Sequence, residues 1–168
     1  MRHRFLISTM LLLIAMRGIV GASDASDPYV AAANEAGVPL QVLVAVVGAE
    51  SAYHPWALDI GGHQVFCQSR AEAEAVLNRT ATGNVDIGLM QINWHYWGSR
   101  LGIAKTALLD PLTNLRMGAL ILRKSLDRDG TMWHRIGSYH STAPRERDRY
   151  NREVYAAYLR YMRGDLTP

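Results

Sequence analysis

The run from Leu40 to Val47 constrains the fold more than any other stretch of the sequence. Pro39 is placed to open a helix there, because its fixed φ and missing N–H suit a first turn. Wound as a helix, Leu40, Val42, Leu43, Val44, Val46 and Val47 put apolar surface on nearly every side. A helix with no polar face is stable only when the rest of the chain surrounds it. This helix is therefore expected at the centre of the fold. Gly48 and Ala49 follow it, small enough to let neighbouring backbone come close, and Glu50 stands at or near its last turn.

The other elements announce themselves by their ends. Asp27-Pro28 is a cap followed by a first-turn proline, and Gly37 is a stop, which predicts a helix to about Ala36. Residues 52–68 look irregular, with a small hairpin expected from Ala57 to Ile60 and Gln64 to Cys67 about the pair Gly61-Gly62. Ser69-Arg70-Ala71-Glu72 matches a capping box and predicts a helix to about Arg79. Thr80 to Asn84 is a loop. The segment Asp86 to Trp94 is too short and mixed for its period to choose helix or strand. Asp110-Pro111 repeats the cap-and-proline signal, and Leu112, Leu115, Ala119 and Leu122 keep helical spacing to about Leu126. A short helix near Thr131 to Tyr139 and a last one from Arg145 to Met162, with Val154, Tyr155, Tyr158 and Leu159 on one side, complete the list. The fold class is mainly α: one helical domain, residues 27–163, with a small β-hairpin and no internal repeat.

The first 22 residues are not expected to join that core. Arg2 and Arg4 give a basic start, Phe5 to Met16 is apolar apart from Ser8 and Thr9, and Val20-Gly21-Ala22 offers small residues for cleavage. This is the pattern of a secretory signal, so the expected location is the periplasm. An uncleaved membrane-anchored start is the alternative, although the run is shorter than the roughly 20 apolar residues a span needs. Loss of residues 1–22 removes Arg2, Arg4 and Arg17, so Lys+Arg falls from 18 to 15 against 15 Asp+Glu. A near-neutral chain without clustered positive charge is not expected to bind nucleic acid. Cys67 is the single cysteine, which excludes an intramolecular disulfide, and a buried small apolar role suits it best. His63 and Cys67 have helical spacing but no second ligand pair, so neither a metal nor another cofactor is expected.

Glu50 carries the chemistry these residues suggest. A carboxyl held against an apolar helix has its charged form desolvated, which raises its pKa. A general acid needs that tuning to be protonated near neutral pH. A solvent-facing glutamate at a helix end is the ordinary alternative.

Three further segments weigh against the ordinary alternative. Ala49-Glu50-Ser51-Ala52-Tyr53 with Pro55 and Ala57, then Gly88-Leu89-Met90-Gln91-Ile92-Asn93, then Ser138-Tyr139-His140-Ser141 occur in that order. Asp110-Pro111 with Asn114 and Gly118-Ala119 lies between the last two. In these segments the chain resembles the soluble lytic transglycosylases, a family with the lysozyme-like α+β fold, over roughly residues 28–160. It is similar in particular to the small transglycosylases that accompany conjugation and type IV secretion. The third segment departs from the family pattern, with His140 where the family often has asparagine and Thr142-Ala143 in place of a glycine end.

The resemblance implies that Glu50 is the single catalytic acid/base. Ser51 would support it locally, Gln91 and Asn93 would line the substrate groove, and Tyr139 would hydrogen-bond near Glu50 and help orient it; all four would belong to the substrate-binding set. Met90 and Ile92 are expected in the core. The implied substrate is the peptidoglycan glycan strand, cleaved between N-acetylmuramic acid and N-acetylglucosamine with a 1,6-anhydro end. The implied partners are components of an envelope-spanning secretion or conjugation machine. Two alternatives stay open. One is a hydrolytic muramidase like a goose-type lysozyme, with Asp59 or Asp86 positioning water, although a turn or cap role is the commoner fate of aspartate. The other is a non-catalytic wall-binding or assembly protein. Trp56, Trp94, Tyr96 and Trp97 cluster near the motifs, and about half of them are expected to face sugar and the rest to be core.

Overall fold

The computed structural model describes residues 27–165; the expected leader, residues 1–22, lies outside the described residues. The described elements are α1 (Pro28–Ala36), α2 (Leu40–Ser51), β1 (Ala57–Ile60), β2 (His63–Phe66), α3 (Arg70–Arg79), β3 (Val85–Ile87), β4 (Ile92–Asn93), α4 (Pro111–Leu126), α5 (Met132–His140) and α6 (Pro144–Met162). A π-helical turn, Trp94–Gly98, and a 3-10 turn, Lys105–Leu109, link β4 to α4. The expected mainly helical domain with a small sheet is therefore what forms.

Helix α2 occupies the centre. Every residue from Val42 to Val47 is buried, and Leu43 to Val47 are wholly removed from solvent. α6 packs along α2, α1 packs on α4, and α5 bridges α4 and α6. Gly48 is where α6 comes close: a Cβ there would sit 3.3 Å from the Ala157 Cβ and against the Tyr53 ring. What closes on Gly48 is thus side chains, where backbone was expected.

The cap signals work as written. The Asp27 carboxylate accepts from the Tyr29 and Val30 N–H groups, and Asp110 accepts from Thr113 N–H at 2.8 Å. Ser69 accepts from Glu72 N–H at 3.2 Å, while Glu72 reaches back to Gln68 N–H, one residue before the cap. All of these bonds except that to Gln68 satisfy a donor that the first helical turn leaves free.

Three expectations are corrected. The sheet has four antiparallel strands in the order β2-β1-β3-β4, not one hairpin. The second strand begins at His63 rather than Gln64, because Gly61 and Gly62 both take positive φ, +62° and +91°, and so form a two-residue turn that pairs Ile60 directly with His63. Cys67 falls past the ladder and is buried, as its small apolar character suggested. On α6 the buried stripe is Tyr150, Val154 and Ala157, spaced by four and three, while Tyr155 and Leu159 remain exposed.

Candidate active site

Helix α2 stops at Ser51 because Ala52 and Tyr53 turn left-handed, with φ of +50° and +66°. The stop leaves Glu50 half-buried at one wall of a cleft of about 390 Å³. Strands β1, β3 and β4 form the facing wall with Asp59, Asp86 and Asn93. These three lie side by side across the sheet, since Asp59 pairs with Asp86 and Asp86 with Asn93. α5 supplies Tyr139 and His140, and α6 supplies Arg149, Tyr150 and Glu153.

The Tyr150 hydroxyl donates to Glu50 Oε1 at 2.7 Å. Burial pushes the Glu50 carboxyl up to about 8 from an ordinary 4.5. The Tyr150 bond, which favours the carboxylate, works against this, and the nearby Asp86 and Glu153 reinforce it. Burial, with Glu50 the next cause, holds the Tyr150 phenol well above its ordinary range, so it remains a donor. His140 stacks on the Tyr150 ring with centroids 4.7 Å apart and planes 4° from parallel. Burial, and then Arg149, lower the His140 pKa.

Gln91, Asn93 and Tyr139 line the same cleft as Glu50, but their polar atoms are largely committed to the protein. Gln91 sits at φ +43°, a conformation that costs a side-chain-bearing residue about 1 kcal/mol or more. Its Nε2 donates to the Ala57 carbonyl at 3.1 Å and the Gly88 carbonyl at 2.8 Å. Asn93 donates to Asp86 at 2.7 Å and to Asn84 at 2.9 Å, and accepts from Tyr96 N–H. The Tyr139 hydroxyl donates to the Met90 carbonyl at 2.7 Å. The expectation that Tyr139 orients Glu50 by a hydrogen bond is thus corrected: Tyr150 makes that bond, and Tyr139 fixes the turn that carries Gln91.

Ser51 does not line the cleft. It is buried, and its hydroxyl donates back to the Val47 carbonyl at 3.2 Å, so it closes the end of α2 and does not face a ligand. Asp86 is a strand residue, not a turn or a cap; burial raises its pKa, Asn93 opposes, and Asp59 adds to the rise. Asp59 keeps a turn role as well, accepting from Gly62 N–H at 2.6 Å. Of the four aromatics, Trp97 lines the cleft, Tyr96 is exposed beside it, Trp56 packs against the core, and Trp94 does so while donating to the Ile103 carbonyl at 2.7 Å.

Tyr150, which bonds the Glu50 carboxyl, was not singled out by the sequence. It lies 100 residues from Glu50, and its only local signal was the spacing of four to Val154. The cleft holds one carboxyl that is protonated at neutral pH and oriented by a phenol, opposite two aspartates. That arrangement can deliver a proton to a leaving oxygen and take one back.

Residues 27–160 match the family model described as the transglycosylase SLT domain. No curated protein and no solved structure was found to match the chain.

Proposed function

The chain belongs to the transglycosylase SLT family, glycan-cleaving lyases of peptidoglycan, and from that premise we propose that Glu50 alone serves as acid and base in a cleavage that leaves 1,6-anhydro ends. The protonated Glu50 gives its proton to the oxygen joining N-acetylmuramic acid to N-acetylglucosamine. The bond from the muramic C1 to that oxygen breaks, assisted by the N-acetyl group, and the N-acetylglucosamine side leaves as an alcohol. The carboxylate then takes the proton of the muramic 6-hydroxyl as that oxygen bonds to C1. No water is consumed, and Glu50 ends as it began. The attacking hydroxyl sits on the sugar it attacks, so proximity supplies several kcal/mol of the barrier reduction.

The observation that carries this proposal is the Glu50 carboxyl, held by Tyr150 and pushed up to about 8. Asp59 and Asp86 on the opposite wall favour the second reading, hydrolysis by water they position. Mass analysis of digested sacculi decides between the two. Anhydro products, one water lighter than reducing ends, are expected; reducing ends would replace the lyase with a muramidase. Export through residues 1–22 and local opening of the wall for a secretion or conjugation machine complete the proposal. They are supported by the basic-then-apolar start of the chain and by the family resemblance. Retention of activity in the periplasmic fraction after deletion of residues 2–22 would overturn the export step.

A pH profile tests the role of Glu50. The acid form is the reactive one at the start of the cycle, so kcat/KM is expected to fall as pH rises through about 8. Tyr150→Phe removes a bond that favours the carboxylate. The alkaline limb should therefore move to higher pH, while kcat drops about tenfold as the carboxyl loses its orientation. A limb that stays in place would show that Tyr150 does not act through Glu50.

A further inference from the structure

A second cleft, of about 440 Å³, continues from the first and shares Asn93, Trp97, Ile121, Tyr139 and His140 with it. The two differ in charge. The first is walled by the protonated Glu50 and by three further acidic residues, Asp59, Asp86 and Glu153, and its one arginine, Arg149, is paired with Glu146 and Glu153. The second has no acidic residue in its lining and two cations, Lys124 and Arg128.

Lys124 and Arg128 are both exposed, and neither takes part in a salt bridge among the described residues. Asp127, the carboxylate between Lys124 and Arg128, is turned to Arg123 instead. The Lys124 ammonium lies 5.3 Å from the centroid of the Trp97 ring, a cation–π contact that holds it over the aromatic wall. Cations at the end of α4 also complement the helix dipole. The dipole accounts for the sign of the charge but not for its facing a cleft from which carboxylates are excluded. A cleft that is concave, aromatic on one wall and cationic on another suits an anion carried on an extended ligand.

We propose that this second cleft binds the free carboxylates of the peptide stems that hang from the muramic residues of the strand. The proposal rests on peptidoglycan being the substrate of the first cleft. The sugar backbone of a stemmed strand is uncharged, whereas each stem carries free carboxylates. A strand seated beside Glu50 has a muramic residue at the point of cleavage, and its stem must leave the groove on one side. The acidic wall of the first cleft repels that stem, and Lys124 and Arg128 attract it. The chain thereby favours strands whose stems keep their acid groups.

Binding tests this without relying on turnover. Full-length Glu50→Gln protein is titrated with soluble glycan–peptide fragments, native or with their stem carboxyls converted to methylamides. The native fragments are expected to bind roughly five- to tenfold more tightly, the sum of two exposed charge pairs, with the preference shrinking as salt rises. Lys124→Ala/Arg128→Ala should erase the preference while leaving affinity for the amidated fragments within about twofold. Arg128→Ala alone, which does not touch Trp97, should remove about half of it in free energy. Equal affinity for both fragments, or a preference that survives the double variant, overturns the proposal. Because the readout is binding by a protein lacking the Glu50 carboxyl, the result is independent of whether the wild type forms anhydro or reducing ends.

Discussion

Glu50→Gln is expected to lower cleavage of peptidoglycan by about a thousandfold or more while making the folded chain more stable at neutral pH. General acid–base catalysis by one positioned group contributes about 10²–10⁴ in rate, and in the proposed cycle the same carboxyl gives the first proton and takes the second. Glutamine keeps the shape and an oxygen to accept from Tyr150 but has no proton to exchange. The stability effect follows from the raised pKa. Between 4.5 and about 8 the folded chain holds a proton that the unfolded chain releases, so stability falls as pH rises through that window. Below 4.5 the variant gains nothing. Above about 8 the gain is complete, on the order of 2 kcal/mol after allowance for partial solvent contact. Thermal melts across this range and release of soluble fragments from sacculi check both halves. Wall-degrading activity that survives the change removes Glu50 from the mechanism. An inactive wild type that still binds glycan would instead favour the wall-binding alternative.

Glu50 and its helix were legible in the sequence because their causes are local. An apolar run with no polar face has one place to go, and proline, glycine and aspartate mark the helix ends within a few residues. Asp27-Pro28, Ser69-x-x-Glu72 and Asp110-Pro111 all cap the helices they announced. The inner half of the sheet was not legible. β3 and β4 have three and two residues, too few for an alternation to register, and they exist because β1 offers an edge and α4 covers the turn between them. The π-helical turn Trp94–Gly98 has no sequence period either; there the Asn93 side chain caps the turn through Tyr96 N–H. The site was divided in the same way. The family resemblance pointed to Glu50, Gln91, Asn93 and Tyr139, which line one cleft, but it gave Ser51 a substrate contact its burial denies and assigned to Tyr139 the bond that Tyr150 makes. Which tyrosine reaches Glu50 is settled by how α6 packs on α2 and α5 on α4 and α6, a property of no single segment.

The second large effect is expected at a residue that touches no part of the cleft. Asn114 is wholly buried on α4, and its amide is shared among three elements. Its oxygen accepts from Met90 N–H at 2.8 Å, and its nitrogen donates at 2.8 Å to the Ile87 carbonyl at the end of β3 and to the Leu108 carbonyl of the 3-10 turn. Gly88, at φ +78°, lies so close to this amide that a Cβ would collide with it and stand 2.9 Å from the Leu108 carbonyl. With Tyr139 bound to the Met90 carbonyl, the Met90 peptide is held from both sides. That grip lets Gln91 persist at positive φ and face the cleft. Asn114→Leu strands one donor and two acceptors in the core, and at about 1–3 kcal/mol for each lost partner a total near 3–4 kcal/mol is expected. Asn114→Asp separates hydrogen bonding from volume. The shape is the same, but at neutral pH the side chain must either face two carbonyl oxygens as a carboxylate or take up a proton at a cost of about 4 kcal/mol and satisfy only one of them, so its cost should match or exceed that of leucine. Urea unfolding at pH 7 should show the midpoint falling in both variants with an unchanged slope. The folded fraction should lose activity as well, because the Met90 turn releases Gln91. A cost below about 1 kcal/mol for the aspartate would mean that packing, not this shared amide, holds the turn beneath the cleft.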